Sequence, residues 1–183
     1  NSRFVNNYGC DDGSGVAFNG LQASLKNVLF EGNTAGFPSP LVGHGALFFD
    51  SSVSSSSMDI VNVTFRGNNA ESGGGASFGP TTETALSVTG SNVYFIGNRA
   101  SGMGGGIRLG NQATKVNITS AFFCDNVDSV GSVDVETDLA TSVEVSMLLQ
   151  PTSHFQCRGN VNMVIQGSVA VCPTTVVAKC ENV

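Results

Sequence analysis

A small set of acidic and imidazole side chains has the composition needed to hydrolyse a polysaccharide. Asp11 and Asp12 are adjacent, His44 stands between two glycines, and Asp50 follows shortly afterwards. Inverting hydrolysis of a glycosidic bond needs one carboxylic acid and one carboxylate base, several ångströms apart across the bond. One hypothesis is therefore an enzyme that uses Asp11, Asp12 and Asp50, with His44 assisting. It requires a fold that brings these separate segments together.

The elements that would position these residues belong to an internal repeat. The motif Phe-x-x-Asn recurs along the chain, and its successive phenylalanines are 26, 35, 30 and 28 residues apart. The phenylalanines are Phe4, Phe30, Phe65, Phe95 and Phe123, and the asparagines are Asn7, Asn33, Asn68, Asn98 and Asn126. A glycine then leads a short, mostly apolar segment, at Gly15, Gly45, Gly75, Gly106 and Gly131. Such a period is typical of stacked repeat architectures, in which each unit buries its apolar face against its neighbours.

Apolar and polar residues alternate within the repeat with a period of two. Val61, Val63 and Phe65 alternate with Asn62 and Thr64, which indicates β-strands rather than helix pairs. Parallel coils place like residues over like, so we expect the repeat phenylalanines to form a core stack. We expect the repeat asparagines to stack at a turn, because asparagine tolerates left-handed backbone angles. The predicted fold is all-β, a parallel β-helix of about five to six coils. Each coil would rise along the axis by the distance between neighbouring strands. One corner of each coil would consist, in order, of a strand, the asparagine turn, the glycine and the next strand.

Variable stretches follow the glycine-led segments, at residues 51–58, 79–85, 110–115 and 136–142. Stacking does not constrain loop length, so we expect all of them to emerge from one edge of the solenoid. The glycines are expected to supply unusual backbone angles or room for the close approach of neighbouring coils. An acidic group, Asp134, Glu136, Asp138 and Glu144, is interpreted as a solvated edge rather than as a cation site.

The chain divides into repeats over residues 1–142 and a tail over residues 143–183 that departs from the motif. The tail contains Cys157, Cys172 and Cys180, while Cys10 and Cys124 lie in the repeats. Their spacing lacks the Cys-x-x-Cys and Cys/His patterns of zinc sites and favours disulfides in a secreted chain. We expect a cysteine-containing cap or linker, with Cys124 facing outward and the connectivity open. The start at Asn1 is interpreted as that of a processed chain or of a segment of a longer one.

Two copies of the motif carry a resemblance to a known family. Phe65 and Asn68 are followed by Gly74-Gly75-Ala76, and Phe95 and Asn98 by Gly105-Gly106-Ile107. This order resembles the polymorphic outer membrane protein repeat of surface adhesins, over about residues 1 to 135. The resemblance implies a right-handed parallel β-helix on a cell surface that serves adhesion or structure, and it does not imply an enzyme.

The catalytic hypothesis is compared with the enzymes that share a β-helix. Polygalacturonases also carry paired aspartates and Gly-His-Gly, but their Asn-Thr-Asp and Arg-Ile-Lys partners are missing here. His44 lies within the glycine signature of its repeat, so it is interpreted as a turn variant. A lyase would need a calcium-binding acidic cluster beside an arginine base, and Arg108 lacks acidic neighbours in sequence. We predict a non-catalytic protein without cofactor or metal, with a carbohydrate-active enzyme on acidic polysaccharide as the alternative.

Charge and short motifs define the expected partners and location. A net charge of −6 does not favour binding to nucleic acid or to anionic lipid. The sequence lacks the run of about 18 apolar residues needed for membrane insertion. Asn62-Val-Thr64 and Asn117-Ile-Thr119 are N-glycosylation sequons, and alternation predicts that Asn62 faces solvent. We expect an extracellular surface module, with other copies or other domains of a surface assembly as partners, glycans as further candidates, and assembly into fibres as one form.

Overall fold

The computed structural model describes residues 1–10, 12–36, 43–50, 55–79, 85–110, 114–129, 131, 135–137, 143–149, 157–158, 161–165 and 168–171. Every regular element within these residues is a β-strand. Across the same residues, no helix has the length and hydropathy needed to cross a membrane. The predicted all-β class is therefore confirmed.

Three strands form each of the first four coils. Coil 1 contains β1 (Ser2–Val5), β2 (Tyr8–Gly9) and β3 (Val16–Asn19), and coil 2 contains β4 (Gln22–Glu31), β5 (Thr34–Ala35) and β6 (Leu47–Asp50). Coil 3 contains β7 (Ser55–Arg66), β8 (Asn69–Ser72) and β9 (Ala76–Phe78), and coil 4 contains β10 (Ala85–Ile96), β11 (Arg99–Met103) and β12 (Ile107–Leu109). The chain continues with β13 (Thr114–Cys124), β14 (Val135–Thr137), β15 (Val143–Leu149), β16 (Cys157–Arg158), β17 (Val161–Ile165) and β18 (Ser168–Val171).

These strands stack into three sheets along one axis. Sheet A has the order β1-β4-β7-β10-β13-β15-β17-β18, sheet B the order β2-β5-β8-β11, and sheet C the order β3-β6-β9-β12-β14-β16. All neighbours are parallel except β17 and β18, which are antiparallel. The predicted parallel β-solenoid is confirmed, although complete three-sided coils in the described part of the chain number four rather than five to six.

The C-terminal part is only partly described. Strands β15 and β17 continue sheet A past residue 142, where the boundary between repeats and tail was predicted. Cys157 lies in β16, whereas Cys172 and Cys180 lie outside the described residues. The cysteine-containing cap therefore remains a prediction.

The predicted phenylalanine stack runs through the interior. Neighbouring ring centroids from Phe4 to Phe123 are 5.1, 5.0, 4.8 and 5.0 Å apart, with interplanar angles of 12°, 7°, 6° and 9°. These distances match the spacing of hydrogen-bonded strands, about 4.8 Å. Phe30, Phe65, Phe95 and Phe123 are fully buried, so one column of rings forms the centre of the core.

The predicted asparagine stack is a continuous hydrogen-bonded ladder. The Asn33 side-chain oxygen accepts the backbone N–H of Asn7 at 3.0 Å and its Nδ2 group at 2.8 Å. Asn33 Nδ2 donates to the Phe4 carbonyl at 2.8 Å and to Asn68 Oδ1 at 3.0 Å. Asn68 and Asn98 repeat this pattern toward Asn98 and Asn126. Each of these buried carboxamides therefore uses both donors and both acceptor positions.

The left-handed backbone expected at these asparagines lies elsewhere. Positive φ occurs one residue earlier, at Asn6, Gly32, Gly67, Gly97 and Asp125. It also occurs at Asn27, Asn62 and Asn92, with φ of 55°, 55° and 53°, in the middle of the long sheet A strands. The residue before each ladder asparagine directly follows the end of a sheet A strand and turns the chain out of that sheet. The amide of the asparagine that follows joins the ladder.

The expected single corner is in fact two corners. A short strand of sheet B separates the asparagine turn from the glycine turn in coils 2, 3 and 4. At the second corner, a Cβ on Gly75 would lie 2.7 Å from the Gly106 carbonyl oxygen and 2.9 Å from a Phe95 ring carbon. This glycine provides room for close approach of coils, as expected.

The glycine-led strands differ from the expected register in coil 2. Aligning Gly45 with Gly75 would pair Phe48 with Phe78, but Phe49 is the residue that pairs with Phe78. Phe49 is fully buried in the core, and Phe48 lies on the outer face of sheet C because a one-residue shift reverses the side of a strand.

The variable stretches follow the predicted order but are shorter. Residues 51–54, 80–84, 111–113 and 138–142 each lie in sequence between a sheet C strand and the next sheet A strand. The strands on either side of each stretch thus belong to the same two sheets in every coil. The predicted stretch 51–58 was too long, because residues from Ser55 onward belong to β7.

The central asparagines of the ladder should contribute strongly to the free energy of unfolding. Replacing Asn68 by Ala removes partners from the Asn33 backbone N–H, the Asn33 amide and the Phe30 carbonyl. A buried polar group without a partner costs about 1–3 kcal/mol, so we expect a loss of about 3 kcal/mol or more in the free energy of unfolding. Urea denaturation measures this change.

Asn69→Ala is the matched control, because Asn69 is the next residue and its side chain is exposed. An exposed substitution of this kind should change stability by no more than about 0.5 kcal/mol. Similar losses in the two variants would contradict the ladder's role.

Candidate functional site

The corner that leads into sheet C brings two of the proposed catalytic residues together. Asp12 and His44 form a parallel β-bridge, and His44 forms another with Ser72. These three residues occupy the same place in coils 1, 2 and 3, just before the glycine-led strands. Asp12 Oδ1 lies 3.7 Å from His44 Nε2. Stacking of coils therefore explains this proximity without any further constraint.

His44 is held between an aromatic ring and a cation. Its ring stacks on Phe48, with centroids 4.9 Å apart and an interplanar angle of 21°. Its Nδ1 lies 3.5 Å from Arg108 Nη1. In sheet C, Ser77 of coil 3 lies in register between Phe48 and Arg108. The arginine side chain therefore reaches from coil 4 across coil 3 to coil 2.

The surroundings of His44 favour a neutral imidazole. Burial, followed by the nearby Arg108 guanidinium, lowers the pKa of His44 below its ordinary value of 6.5. The carboxylates of Asp12, Glu71 and Asp50 act in the opposite direction but do not reverse the shift. At neutral pH the His44 ring is therefore an uncharged bridge between Asp12 and Arg108.

The carboxylates near this corner differ in access to solvent. The Asp12 side chain is 44% exposed, whereas Asp50 is only 6% exposed. Asp11 lies outside the described residues. Of the proposed catalytic set, the structure thus brings Asp12 and His44 together, with one carboxylate accessible and Asp50 buried.

Glu136 corrects an expectation from the sequence. It was interpreted as part of a solvated edge, but it is 5% exposed and accepts a hydrogen bond of 2.8 Å from the Gly104 backbone N–H. It follows Arg108 in the outer column of sheet C. The reach of Arg108 and the burial of Glu136 were missed because their strands are separate in sequence. Placing Leu47 over Ala76 in coil 2, and Val135 rather than Ser132 over Ile107, would have put both residues in the column of Phe48. Gly131 therefore does not lead the strand that follows it, as the sequence had suggested.

The remaining predicted sites are distributed over the surface. Asn62 is exposed, as predicted, and its Nδ2 donates to Asn27 Oδ1 at 2.7 Å; Asn117 is also exposed. Cys10 is an exposed free thiol. Cys124 follows the buried Phe123 and is itself half-buried, and it has an interaction partner. No group of three or more His, Cys, Asp or Glu side chains suited to a metal ion occurs in the described ranges.

Comparisons with known proteins add no family to these observations. No protein-family model matches the chain, and comparison with curated proteins and with solved structures also finds no match. Arguments about function therefore rest on the residues and their geometry.

The half-buried imidazole of His44 should make stability depend on pH. Because the folded chain holds the pKa of His44 below 6.5, the unfolded chain binds this proton more readily. The stabilisation associated with neutral His44 is therefore fully present above about pH 6.5, and it is lost as the pH falls toward the pKa of His44 in the folded chain. We expect unfolding free energies, measured in urea at about pH 7.5 and about pH 5.5, to differ less in His44→Gln than in the parent chain.

His154→Gln is the control, because the chain has two histidines. If the pH dependence of stability disappears in His154→Gln and persists in His44→Gln, its assignment to His44 is refuted.

Proposed function

We propose that this chain is a non-catalytic structural or adhesive module of an extracellular surface. The observation that carries the proposal is the continuous ladder from Asn7 to Asn126, together with the parallel phenylalanine stack. Each interior coil depends on the coils on either side, so the interior supports a rigid rod rather than an internal cavity for a ligand.

The outer face of sheet A supplies the means of interaction. Ser24, Asp59, Thr89 and Asn117 lie in register along four consecutive strands. Thr89 Oγ1 donates to Asp59 Oδ1 at 3.1 Å. Side chains in such a column repeat at the strand spacing of about 4.8 Å. A rigid array of this kind gains binding strength through repetition, so weak individual contacts are sufficient.

Surface location and covalent modification belong to the same proposal. The argument for an extracellular location is the resemblance of two motif copies, Phe65 to Ala76 and Phe95 to Ile107, to the polymorphic outer membrane protein repeat. Exposure of Asn62 and Asn117 on sheet A supports N-glycosylation in a eukaryotic secretory pathway. Disulfides that involve the tail cysteines would stiffen the last coils, and other copies or domains of the same assembly are the proposed partners.

A carbohydrate-active enzyme is the second candidate, and the proximity of Asp12 to His44 favours it. Its difficulty is the second carboxyl group. Inverting hydrolysis requires a carboxyl pair facing the bond from opposite sides. Of the two predicted partners of Asp12, Asp50 is buried and Asp11 lies outside the described residues. His44 also has a charged group near each ring nitrogen, which favours a role in joining coils.

Turnover measurements separate the two candidates. We expect no release of reducing ends or unsaturated products from polygalacturonate and other acidic polysaccharides by the parent chain, Asp12→Asn or His44→Gln. Reducing-sugar and ultraviolet absorbance assays measure these products. Activity in the parent that is lost in Asp12→Asn would replace the structural proposal with the enzymatic one.

Location can be tested on intact source cells. We expect antibodies against the purified chain to label the outer surface in immunogold electron microscopy, and mild external proteolysis to remove the label. Labelling that appears only after permeabilisation would contradict the extracellular proposal.

A further inference from the structure

The side chain of Arg108 links two coils that are not neighbours. It extends from coil 4 to His44 in coil 2, where Nη1 of the arginine lies 3.5 Å from Nδ1 of the imidazole. Ser77 of coil 3 lies in register between the two coils, on the outer face of sheet C. Within the described strands, backbone pairing joins each coil only to its direct neighbours. This contact is therefore a separate connection that can open without breaking a sheet.

The same contact determines which ring nitrogen of neutral His44 carries the proton. A guanidinium has five donors and no acceptor, so Nδ1 of His44 has to be the acceptor and is unprotonated. The proton of the neutral ring is then on Nε2, which lies 3.7 Å from Asp12 Oδ1. Neutral His44 thus accepts a hydrogen from coil 4 and directs its own hydrogen toward coil 1.

A second proton on the ring changes the two sides of His44 in opposite directions. This proton binds to Nδ1, where it places two donors and two positive charges opposite each other. On the other side, the charged ring is attracted more strongly to the carboxylate of Asp12. The His44 side chain is 24% exposed, so a proton from water can reach it.

The other groups around His44 favour a charged ring that stays in place. Apart from Arg108, the charged groups that act on His44 in the described residues are carboxylates. They include Glu71 of β8 and Asp50 at the end of β6, in addition to the carboxylate of coil 1. The ring of Phe48, with its centroid 4.9 Å from that of the imidazole, also attracts a cation at its face. The guanidinium is therefore the group that moves when the ring becomes charged.

Glu136 provides an anionic neighbour for the released arginine. It lies in register with Arg108 one coil further on, and it is buried. Movement toward coil 5 withdraws the guanidinium from the outer face of coils 2 and 3. Phe48 and Ser77, which are 8% and 2% exposed on that face, then gain access to solvent.

We propose that His44 and Arg108 form an acid-operated clamp on the outer face of sheet C. In the neutral form, the arginine joins coil 4 to coil 2. When the imidazole binds a proton from solvent, Arg108 moves toward Glu136, the charged ring keeps its contact with Asp12, and Phe48 becomes accessible. No covalent bond between residues changes, and a rise in pH returns the proton to solvent and closes the clamp. This device does not depend on the extracellular role proposed above.

Nuclear magnetic resonance of the parent chain tests the clamp directly. The nitrogen shifts of the His44 ring report its tautomer and its protonation, and nuclear Overhauser effects report whether the Arg108 side chain contacts the ring. We expect the Nε2–H tautomer at neutral pH, and loss of the Arg108 contact with the same midpoint as His44 protonation. A contact that persists with the charged ring overturns the proposal, and so does unfolding of the chain before His44 is protonated.

Two variants should shift this midpoint in opposite directions. Removal of the guanidinium in Arg108→Gln should raise the pKa of His44, whereas removal of the carboxylate charge in Asp12→Asn should lower it further. In Asp12→Asn, release of Arg108 should follow His44 to lower pH, and release at the pH of the parent would overturn the clamp. Arg99→Gln is the matched control, because Arg99 is an exposed arginine of the same coil. An equal rise of the His44 pKa in this control would also overturn the assignment.

A dissolved nitroxide tests the accessibility of Phe48. Such a probe broadens the resonances of groups that it can approach, so broadening of the Phe48 ring protons should increase below the midpoint in the parent chain. In His44→Gln, which lacks the titrating ring, broadening should be the same above and below that pH. Equal broadening in the two forms of the parent, or an equal increase in His44→Gln, contradicts the opening of this face by His44.

Discussion

The rest of the structure depends on one interaction, the complete hydrogen bonding of the buried asparagine side-chain amides in the ladder. At each asparagine turn, the backbone carbonyl of the preceding phenylalanine and the amide N–H of the asparagine would otherwise lack partners inside the solenoid. An asparagine side chain has two donors and an oxygen with two acceptor positions, and Asn33 and Asn68 use all of them. An ionised aspartate has no donor, and a serine hydroxyl has only one. The recurrence of asparagine at this position therefore has a direct physical cause.

Parallel stacking also explains the candidate site. Residues that precede the glycine-led strands come together because their coils superimpose, which places Asp12 beside His44. Such proximity is a general property of solenoids, and it is not by itself evidence of catalysis. Arg108 and Phe48 then make His44 part of the connection between coils. We therefore interpret the site as a set of contacts that connects neighbouring coils on their outer side. The phenylalanine stack connects the same coils on their inner side.

The sequence predicted those features that depend on periodicity. Phenylalanine and asparagine columns follow from residue type and spacing, and the structure confirms both. Features that depend on a single residue of register were not predictable: placing Gly45 over Gly75 would set Phe48 over Phe78, where Phe49 lies. The left-handed positions are Gly32, Gly67 and Gly97, one residue before the ladder asparagines. The glycine turns the backbone at the corner, and the asparagine places its amide in the ladder, so two adjacent residues meet two separate requirements. Contacts across several coils, such as Arg108 with His44, arise from long side chains and have no local signal in sequence.

The uniform direction of the asparagine ladder gives the rod an electrostatic polarity. Every interior carboxamide directs its oxygen toward the earlier coil and an N–H toward the later one. Aligned amide dipoles add along an axis, as they do in an α-helix, and consecutive hydrogen bonds polarise one another in a medium of low dielectric constant. The end at Asn7 thus has partial negative character, and the two ends of the rod are electrically unlike.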